Sequence, residues 1–335
     1  MMPITPLREL TDGQEADVFV LLTKKESHTT KKGKPYFQTV FRDAVREVET
    51  PVWSDSPNFE DCRDHWEVGR YYKIRARYLV TKFGPQLEIQ RIRLATDADK
   101  QDGFDPRDLV PGSAFPVEAM YDELLALAAK NIGKGKLLNL VTRVCKDNRD
   151  ALLETAAARW NHHNFSGGLL EHTLSVTKIA IALCDHYEAM YPYKKGVFSR
   201  PLVVAGAILH DLGKVREMVQ EAGQTRHTTE GTLIGHILLG RDLVRDYGRA
   251  VELEPTVQTL LEHIVIAHQR FADWGSPKPP MSMEAVIVHH ADSLDALLGV
   301  HENILKTTDP NDEVTTKKNL LGYPIYGGNR PVSQG

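Results

Sequence analysis

Residues 166–214 read SGGLLEHTLSVTKIAIALCDHYEAMYPYKKGVFSRPLVVAGAILHDLGK, and the rest of the chain is organised around this stretch. His172 stands at the head of an apolar stripe with steps of four, three and four residues, formed by Val176, Ile179 and Leu183. That spacing keeps the side chains on one face of a helix. We therefore predict that His172 faces the core of a helical region.

A second apolar helix ends in an adjacent His-Asp pair, His210 and Asp211. Val203 and Ala207 share a face with His210, so this histidine is also predicted to point inward. Gly213 then permits the helix to stop. Neighbours on a helix diverge by roughly 100°, but both can contact one ion that lies beside a helix end. Either histidine alone is more typical of a packed core residue, whereas the set together indicates a metal site.

Further candidate ligands recur downstream on separate helices. His236 lies in GTLIGHILLGRDLV, His268 in TVQTLLEHIVIAHQ and Asp292 in EAVIVHHADSLDALLG. An unpaired buried carboxylate is costly, so imidazole and carboxylate groups on inward helix faces favour a buried metal ion. All-helical proteins commonly build metal sites in this way. His263 is five residues before His268 and points elsewhere.

These residues resemble the ligand pattern of the HD phosphohydrolase superfamily, which is carried here by His172, the pair His210-Asp211 and Asp292. The resemblance extends to the YhaM-type 3′-to-5′ exoribonucleases through five phrases in order: HHNFSGGLLEHTLSV (162–176), ILHDLGKV (208–215), TTEGTLIGHI (228–237), EHIVIAH (262–268) and WGSPKPPMSMEAVIVHHADSLDA (274–296). One departure is Gln269-Arg270, where this family tends to carry His-Gly.

The resemblance implies a divalent metal centre of one or two ions. The first ion would be held by His172, His210, Asp211 and Asp292, and a second, bridged through Asp211, by His236 and His268. A mixed imidazole and carboxylate set fits manganese, which we favour, as well as iron, cobalt or magnesium. Because a divalent ion lowers the pKa of bound water from ~15.7 towards ~7, hydrolysis by a metal-activated water is expected. Asp211 is thus both a ligand and a catalytic residue.

Other polar residues near the cluster have two readings each. Lys214 is expected to steady the scissile phosphate as a catalytic residue, although a lysine at a helix end also serves the helix dipole. Asp295 is one turn from Asp292 and orients water or a ligand, or is a surface acid. His162 and His163 contact phosphate or base, or are loop histidines. His263 supports a ligand or, more simply, packs in the core.

The composition bounds the class of protein. The chain has 335 residues, 41% apolar and 26% charged, which fits a globular protein of two domains at ~150 residues each. No run approaches the ~20 apolar residues of a membrane span, and the N-terminus has no signal-peptide apolar block. Three scattered cysteines fit a reduced, cytoplasmic location. The net charge of −4 does not by itself indicate a nucleic-acid partner, and a homo-oligomer stays open.

Residues 15–95 are predicted to form β-structure. Their clearest period-two run comprises Tyr72, Ile74, Ala76, Tyr78 and Val80. Turn signals at 31–35 and 83–85 separate candidate strands. Five short strands with such turns fit a small barrel.

Basic residues dominate one part of the barrel. Between positions 69 and 93 there are seven Lys and Arg residues and one acid, Glu88, with aromatic residues interleaved. This pattern suits single-stranded nucleic acid, or an edge strand protected by charge. The segment also resembles the OB-fold module of the YhaM-type enzymes, notably in GKPYFQTVFRD and LEIQRIRLA, which favours nucleic-acid binding. The residues predicted to contact RNA or DNA are Lys73, Arg75, Arg77, Tyr78 and Phe83.

The predicted architecture is multidomain, a small all-β OB-like barrel followed by an all-α HD domain. The expected boundaries are 14–96 for the barrel, 97–115 for a linker, 116–306 for the HD domain and 307–335 for a C-terminal tail. The leading hypothesis is a metal-dependent 3′-to-5′ exonuclease that hydrolyses phosphodiester bonds of single-stranded RNA, with DNA as a further substrate. The alternatives are an HD phosphohydrolase acting on small nucleotides and a nucleic-acid-binding protein without activity.

Overall fold

The structure is a computed structural model, which describes residues 3–113, 115–157, 165–194, 196–221, 224–306, 308 and 312–327. The chain divides into two compact units. The first comprises Met1–Gly112 and Gln220–Arg226, and the second comprises Ser113–Val219 and His227–Gly335. The domain boundaries inferred from the sequence stay predictions.

The first unit is built on a five-stranded antiparallel sheet with the strand order β3-β2-β1-β4-β5. Its strands are β1 (Glu15–Thr29), β2 (Pro35–Arg42), β3 (Glu47–Trp53), β4 (Tyr71–Thr81) and β5 (Gly84–Leu94), with helix α1 (Phe59–His65) between β3 and β4. The Leu87 N–H donates to Thr50 Oγ1 at 3.1 Å, which brings the two outer strands β5 and β3 together. The predicted OB-like all-β region is confirmed.

Alternation along the strands builds the core of this unit. In β4 the buried residues are Tyr72, Ile74, Ala76 and Tyr78, as the period-two pattern predicts. Val80 departs from that pattern, since it is 59% exposed near the end of the strand.

The segment predicted as a linker is folded over most of its described length. It contains two short 3-10 helices, Asp97–Asp102 and Pro106–Leu109. Phe104 and Leu109 are buried together with Phe19 and Leu21 of β1. The Gly, Pro and acidic residues predict an extended connection, but the two apolar side chains pack against the barrel and order the chain around them.

The second unit is helical and matches the predicted order of a β-region followed by helices. Its helices are α2 (Val117–Ile132), α3 (Lys136–Asp147), α4 (Arg149–Glu154), α5 (Gly168–Met190), α6 (Arg200–Leu209), α7 (Lys214–Glu217), α8 (Thr229–Ile234), α9 (His236–Ala250), α10 (Pro255–Ala267) and α11 (Met283–Lys306). Two short strands, β6 (Met218–Glu221) and β7 (Gln224–His227), pair with each other after α7, and their segment Gln220–Arg226 belongs to the first unit.

Helix α6 lies at the centre of this unit. Every residue from Leu202 to Leu209 is buried, and α2, α5, α10 and α11 surround the helix. Ser199 caps its first turn by accepting the Leu202 N–H, and Pro201 occupies an early position where proline is tolerated. The burial of α6 on all sides places the residues that follow it, His210 and Asp211, inside the protein.

The C-terminal segment has structure where it is described. Val314 and Tyr326 form an isolated antiparallel bridge, and Ile325 is buried. Within the described part of the chain, every helix is too short or too polar to cross a membrane.

Candidate metal centre

Three helices bring the first group of predicted ligands together. His172 comes from α5, His210 follows α6 and Asp292 comes from α11. The Nε2 atoms of the two histidines are 3.2 Å apart. Asp292 Oδ1 lies 3.2 Å from His172 Nε2 and 3.7 Å from His210 Nε2. All three ligand atoms therefore lie close enough together to share one ion.

A second group forms on the other side of Asp211. Asp211 Oδ1 lies 3.5 Å from His236 Nε2 at the start of α9. The same oxygen lies 3.5 Å from His268 Nε2 at the end of α10. These three ligand atoms can also share one ion.

Asp211 stands between the two groups and presents one oxygen to each. While Oδ1 faces His236 and His268, Oδ2 lies 3.5 Å from His172 Nε2 and 3.6 Å from His210 Nε2. A carboxylate with this placement can bridge two divalent ions.

Hydrogen bonds fix the orientation of all four imidazole rings. The Nδ1 atoms of His210 and His268 donate to the carbonyl oxygens of Ala207 and Val265 at 2.8 and 2.7 Å. The Nδ1 of His172 lies 2.7 Å from Asp295 Oδ2, and that of His236 lies 3.1 Å from Glu217 Oε1. A histidine that donates through Nδ1 presents the lone pair of Nε2 to a metal.

The donor set fits a divalent cation. Asp211 Oδ1 and His268 Nε2 are buried and have no hydrogen-bond partner among the described residues. Buried polar atoms without a partner are rare and costly, and a cation between these atoms would satisfy both. The set holds imidazole and carboxylate but no thiolate, so it suits manganese, iron, cobalt or magnesium.

The electrostatics keep the carboxylates charged. Burial would raise the pKa of Asp211, but the Lys214 ammonium holds it well below its ordinary value. Burial would also raise the pKa of Asp292, but the hydrogen bond with His172 keeps this pKa below its ordinary value. Burial lowers the pKa of His210 to about 4, so this ring is neutral at pH 7. Against the effect of burial, hydrogen bonds to Asp211 raise the pKa of His172 and of His268, so a cation that binds there replaces protons on these two rings.

Lys214 and Asp295 lie at the cluster, as their sequence positions suggest. Lys214 Nζ is 2.5 Å from Asp211 Oδ2. Asp295 accepts from His172 and also from the Ser175 hydroxyl. Asp295 therefore supports a ligand rather than lying as a simple surface acid.

Two other predictions stay predictions. The Nε2 of His263 accepts the Met281 N–H at 2.9 Å, ahead of α11. Its position five residues before His268 turns it away from the cluster. His162 and His163 lie outside the described residues.

Glu217 contacts the candidate ligand His236, and no pattern in the sequence predicts this contact. It accepts hydrogen bonds from both the backbone N–H and the Nδ1 of His236. No apolar periodicity marks it, because it lies at the end of the four-residue helix α7. A glutamate six residues after Asp211 can be recognised as part of the site only when its contact with His236 is already known.

The basic residues predicted to bind nucleic acid on β4 are mostly occupied within the barrel. Lys73 Nζ lies 2.6 Å from Asp102 Oδ2, and Arg75 makes two hydrogen bonds to Asp17 at 2.7 and 2.8 Å. Their charge is compensated internally.

The other three predicted contact residues differ in exposure. Arg77 is half exposed, and its guanidinium lies 3.8 Å from Glu15. Tyr78 is buried, because its ring faces the core of the barrel. Phe83 is 81% exposed in the turn between β4 and β5, where it can stack on a base.

A different surface of the barrel has free positive charge. We call it the β1–β2 hairpin surface, which consists of His28, Lys31, Lys32, Lys34, Tyr36 and Trp53. Its three rings form a row across adjacent strands, with centroids 5.5 Å apart for His28 and Tyr36 and 4.7 Å apart for Tyr36 and Trp53. The three lysines are exposed and pair with no carboxylate among the described residues. The sequence predicts the KKGK segment only as a turn.

Residues 169–297 match the family model described as HD domain. This range includes all six residues of the two ligand groups. Over this range the chain is similar to HD domains, which indicates a metal-dependent hydrolase in general.

Two solved structures are similar to part of the chain. A crystal structure of a domain of replication protein A from Methanococcus maripaludis has 9% sequence identity and a TM-score of 0.23, over 27% of this chain and 93% of that chain. A solution NMR structure of the second OB-fold domain of replication protein A from the same organism has 11% identity and a TM-score of 0.22, over 28% and 96%. At these TM-scores neither likeness supports a conclusion about what this chain binds.

Proposed function

We propose that this chain is a metal-dependent phosphodiesterase that trims single-stranded RNA from its 3′ end, with DNA as a further substrate. The observation that carries the proposal is the position of Asp211. One oxygen faces His172 and His210, and the other faces His236 and His268. Such a bridge suits two divalent ions, which can stabilise both the attacking and the leaving oxygen of a phosphoryl group.

The candidate ligand residues and Lys214 would have different roles at the phosphate. A bound divalent ion would lower the pKa of water towards ~7 and polarise a phosphoryl oxygen. His172, His210 and Asp292 would hold one ion, His236 and His268 the other, with Asp211 shared. Lys214 contacts the Asp211 carboxylate. Its ammonium can therefore turn to a phosphate oxygen and remain next to the metal site.

The barrel supports the proposal for a single-stranded substrate. Stacking of bases on exposed rings combined with basic side chains is how single strands are held without sequence preference. The β1–β2 hairpin surface offers both features, and Trp53 also lines a groove of about 720 Å³ between β3 and β5. Phe83 adds one more exposed ring.

The test is digestion of an RNA labelled at its 5′ end, in manganese, with mononucleotides as a second substrate. A length of ~20 nucleotides exceeds the ~4–16 nucleotides that one OB fold contacts. We expect a ladder that shortens from the 3′ end and is abolished in Asp211→Asn. Turnover of mononucleotides with the RNA intact would instead support a small-nucleotide phosphohydrolase. Binding of the RNA with neither activity would support a nucleic-acid-binding protein.

A further inference from the structure

Gln269 places its side-chain amide on one of the candidate metal ligands. Its Nε2 lies 3.2 Å from the Nε2 of His236. Since the Nδ1 of His236 is directed at Glu217, the Nε2 of this ring is the atom with the lone pair. The Gln269 amide therefore donates an N–H to the lone pair that an ion beside Asp211 and His268 would need.

The backbone around Gln269 holds this contact in place. The Gln269 N–H donates to Ser276 Oγ at 3.1 Å, and Ser276 is buried. The Phe271 N–H in turn donates to the Gln269 carbonyl oxygen at 2.8 Å. Arg270 between them has φ 67°, which reverses the chain after α10. The loop thus fixes the position of the Gln269 backbone. From there the side-chain amide contacts His236 of the second ligand group.

Both ligand groups contain a hydrogen bond that an ion must displace. At the first group it is the buried contact of 3.2 Å between the Nε2 atoms of His172 and His210, which are themselves candidate ligand atoms. At the second group it is the half-buried bond from Gln269 to His236, and its donor can be removed without changing the six candidate ligands.

We propose that Gln269 competes with a divalent ion for His236 and so lowers the metal affinity of the His236–His268 position. This inference rests on the metal site of the proposed function and adds a residue that sets the affinity of one of its two positions. Gln269 acts through His236, so it is a positioning residue.

The experiment is calorimetric titration of the metal-stripped full-length chain with manganese chloride. The wild type is compared with Gln269→Met, which keeps the side-chain volume and removes the donor. A hydrogen bond contributes about 0.5–1.5 kcal/mol net, so one of the two sites of the variant should bind manganese about two- to tenfold more tightly. The other site should not change. Gln90→Met, at an exposed position of β5, is the matched control and should leave both sites unchanged.

One site that tightens while the other is unchanged, or a second ion that appears only in the variant, supports the inference. Two sites that are both unchanged or weakened, or a single ion of the same affinity in both proteins, overturns it. Gln269→Ala repeats the test should the methionine pack poorly. Because the measurement is metal binding, its result does not depend on whether the protein cleaves RNA.

Discussion

At the scale of single residues, the lysines of the β1–β2 hairpin surface differ from the basic residues of β4 in what they already contact. Lys73 and Arg75 are paired with Asp102 and Asp17, whereas Lys31, Lys32 and Lys34 are exposed. A side chain that is already paired gains less from a phosphate, because it must first give up its partner. Nucleic-acid affinity should therefore depend more on the hairpin.

We predict that changing Lys31, Lys32 and Lys34 together to Ala weakens binding of a single-stranded oligonucleotide roughly tenfold at low salt. The plot of log K against log salt has a negative slope, and the magnitude of this slope should decrease by about 2, since each neutralised phosphate of a single strand contributes about 0.7. Fluorescence anisotropy at several salt concentrations measures both. The matched triple change at Lys73, Arg75 and Arg77 should have the smaller effect, and the reverse order would return the binding surface to β4.

The burial of two candidate ligands could be predicted from the sequence because each one shares a helix face with apolar residues. His172 and His210 are buried in the interior, as their apolar neighbours indicate. The partners of the basic strand could not be predicted in the same way. Asp17 lies 58 residues before Arg75, and Asp102 lies 29 residues after Lys73. No local pattern reports such pairs, since they exist only once the barrel has closed.

At the scale of elements, the turn between α6 and α7 touches the start of α9 directly. A Cβ at Gly213 would overlap the carbonyl oxygen of His236 and crowd the backbone nitrogen of Gly240. The absence of a side chain at Gly213 therefore allows Asp211 and His236 to approach each other. The sequence predicts Gly213 as a helix stop, but this second role depends on a helix more than twenty residues later.

We predict that Gly213→Ala destabilises the helical unit by about 2–3 kcal/mol, because backbone atoms on the other side cannot move aside cheaply. Urea denaturation measures the change. Gly248→Ala is the control, since its Cβ would meet only the side-chain end of Gln258. There the strain is offset by the gain of about 1 kcal/mol in helix propensity, so the net change should be small. Equal effects at both positions would refute the close-approach argument.

The 3-10 helix at Asp97–Asp102 is tied to the barrel by one buried carboxylate. Asp99 accepts two hydrogen bonds from Arg93 at 2.8 and 2.5 Å and another from the Thr96 N–H at 2.9 Å. The Arg93 hydrogen bonds, against the effect of burial, hold the pKa of Asp99 well below its ordinary value. The composition of this segment predicts a linker, because its acids appear unpaired when the sequence is read alone.

The sign of the pH effect follows from that lowered pKa. An Asp that is more acidic in the folded chain stabilises the fold fully above its unfolded pKa of about 3.9, and this contribution is lost as the pH falls through the folded pKa. Asp99→Asn should therefore cost about 1.5–3 kcal/mol at neutral pH and progressively less below about pH 4. Urea unfolding of both proteins across this range gives the difference, and a difference that does not change with pH would contradict the prediction.

At the scale of the whole molecule, each unit has its own hydrophobic core. One core lies inside the barrel and the other surrounds α6. All six candidate ligands belong to the second unit, so metal binding should stabilise that unit alone. A ligand that binds only the folded state at a hundred times its Kd adds about 2.7 kcal/mol to the free energy of unfolding.

We predict two thermal transitions for the full-length chain in EDTA, of which manganese raises only one. Differential scanning calorimetry resolves them. Asp99→Asn, which alters the barrel, identifies the other transition by lowering it in the presence and absence of metal. In Asp211→Asn the manganese-dependent shift should shrink strongly, since the bridging oxygen anion is lost while the side-chain shape is kept. A shift of both transitions by the same amount, or a full shift in Asp211→Asn, would mean that manganese acts somewhere other than the cluster around Asp211.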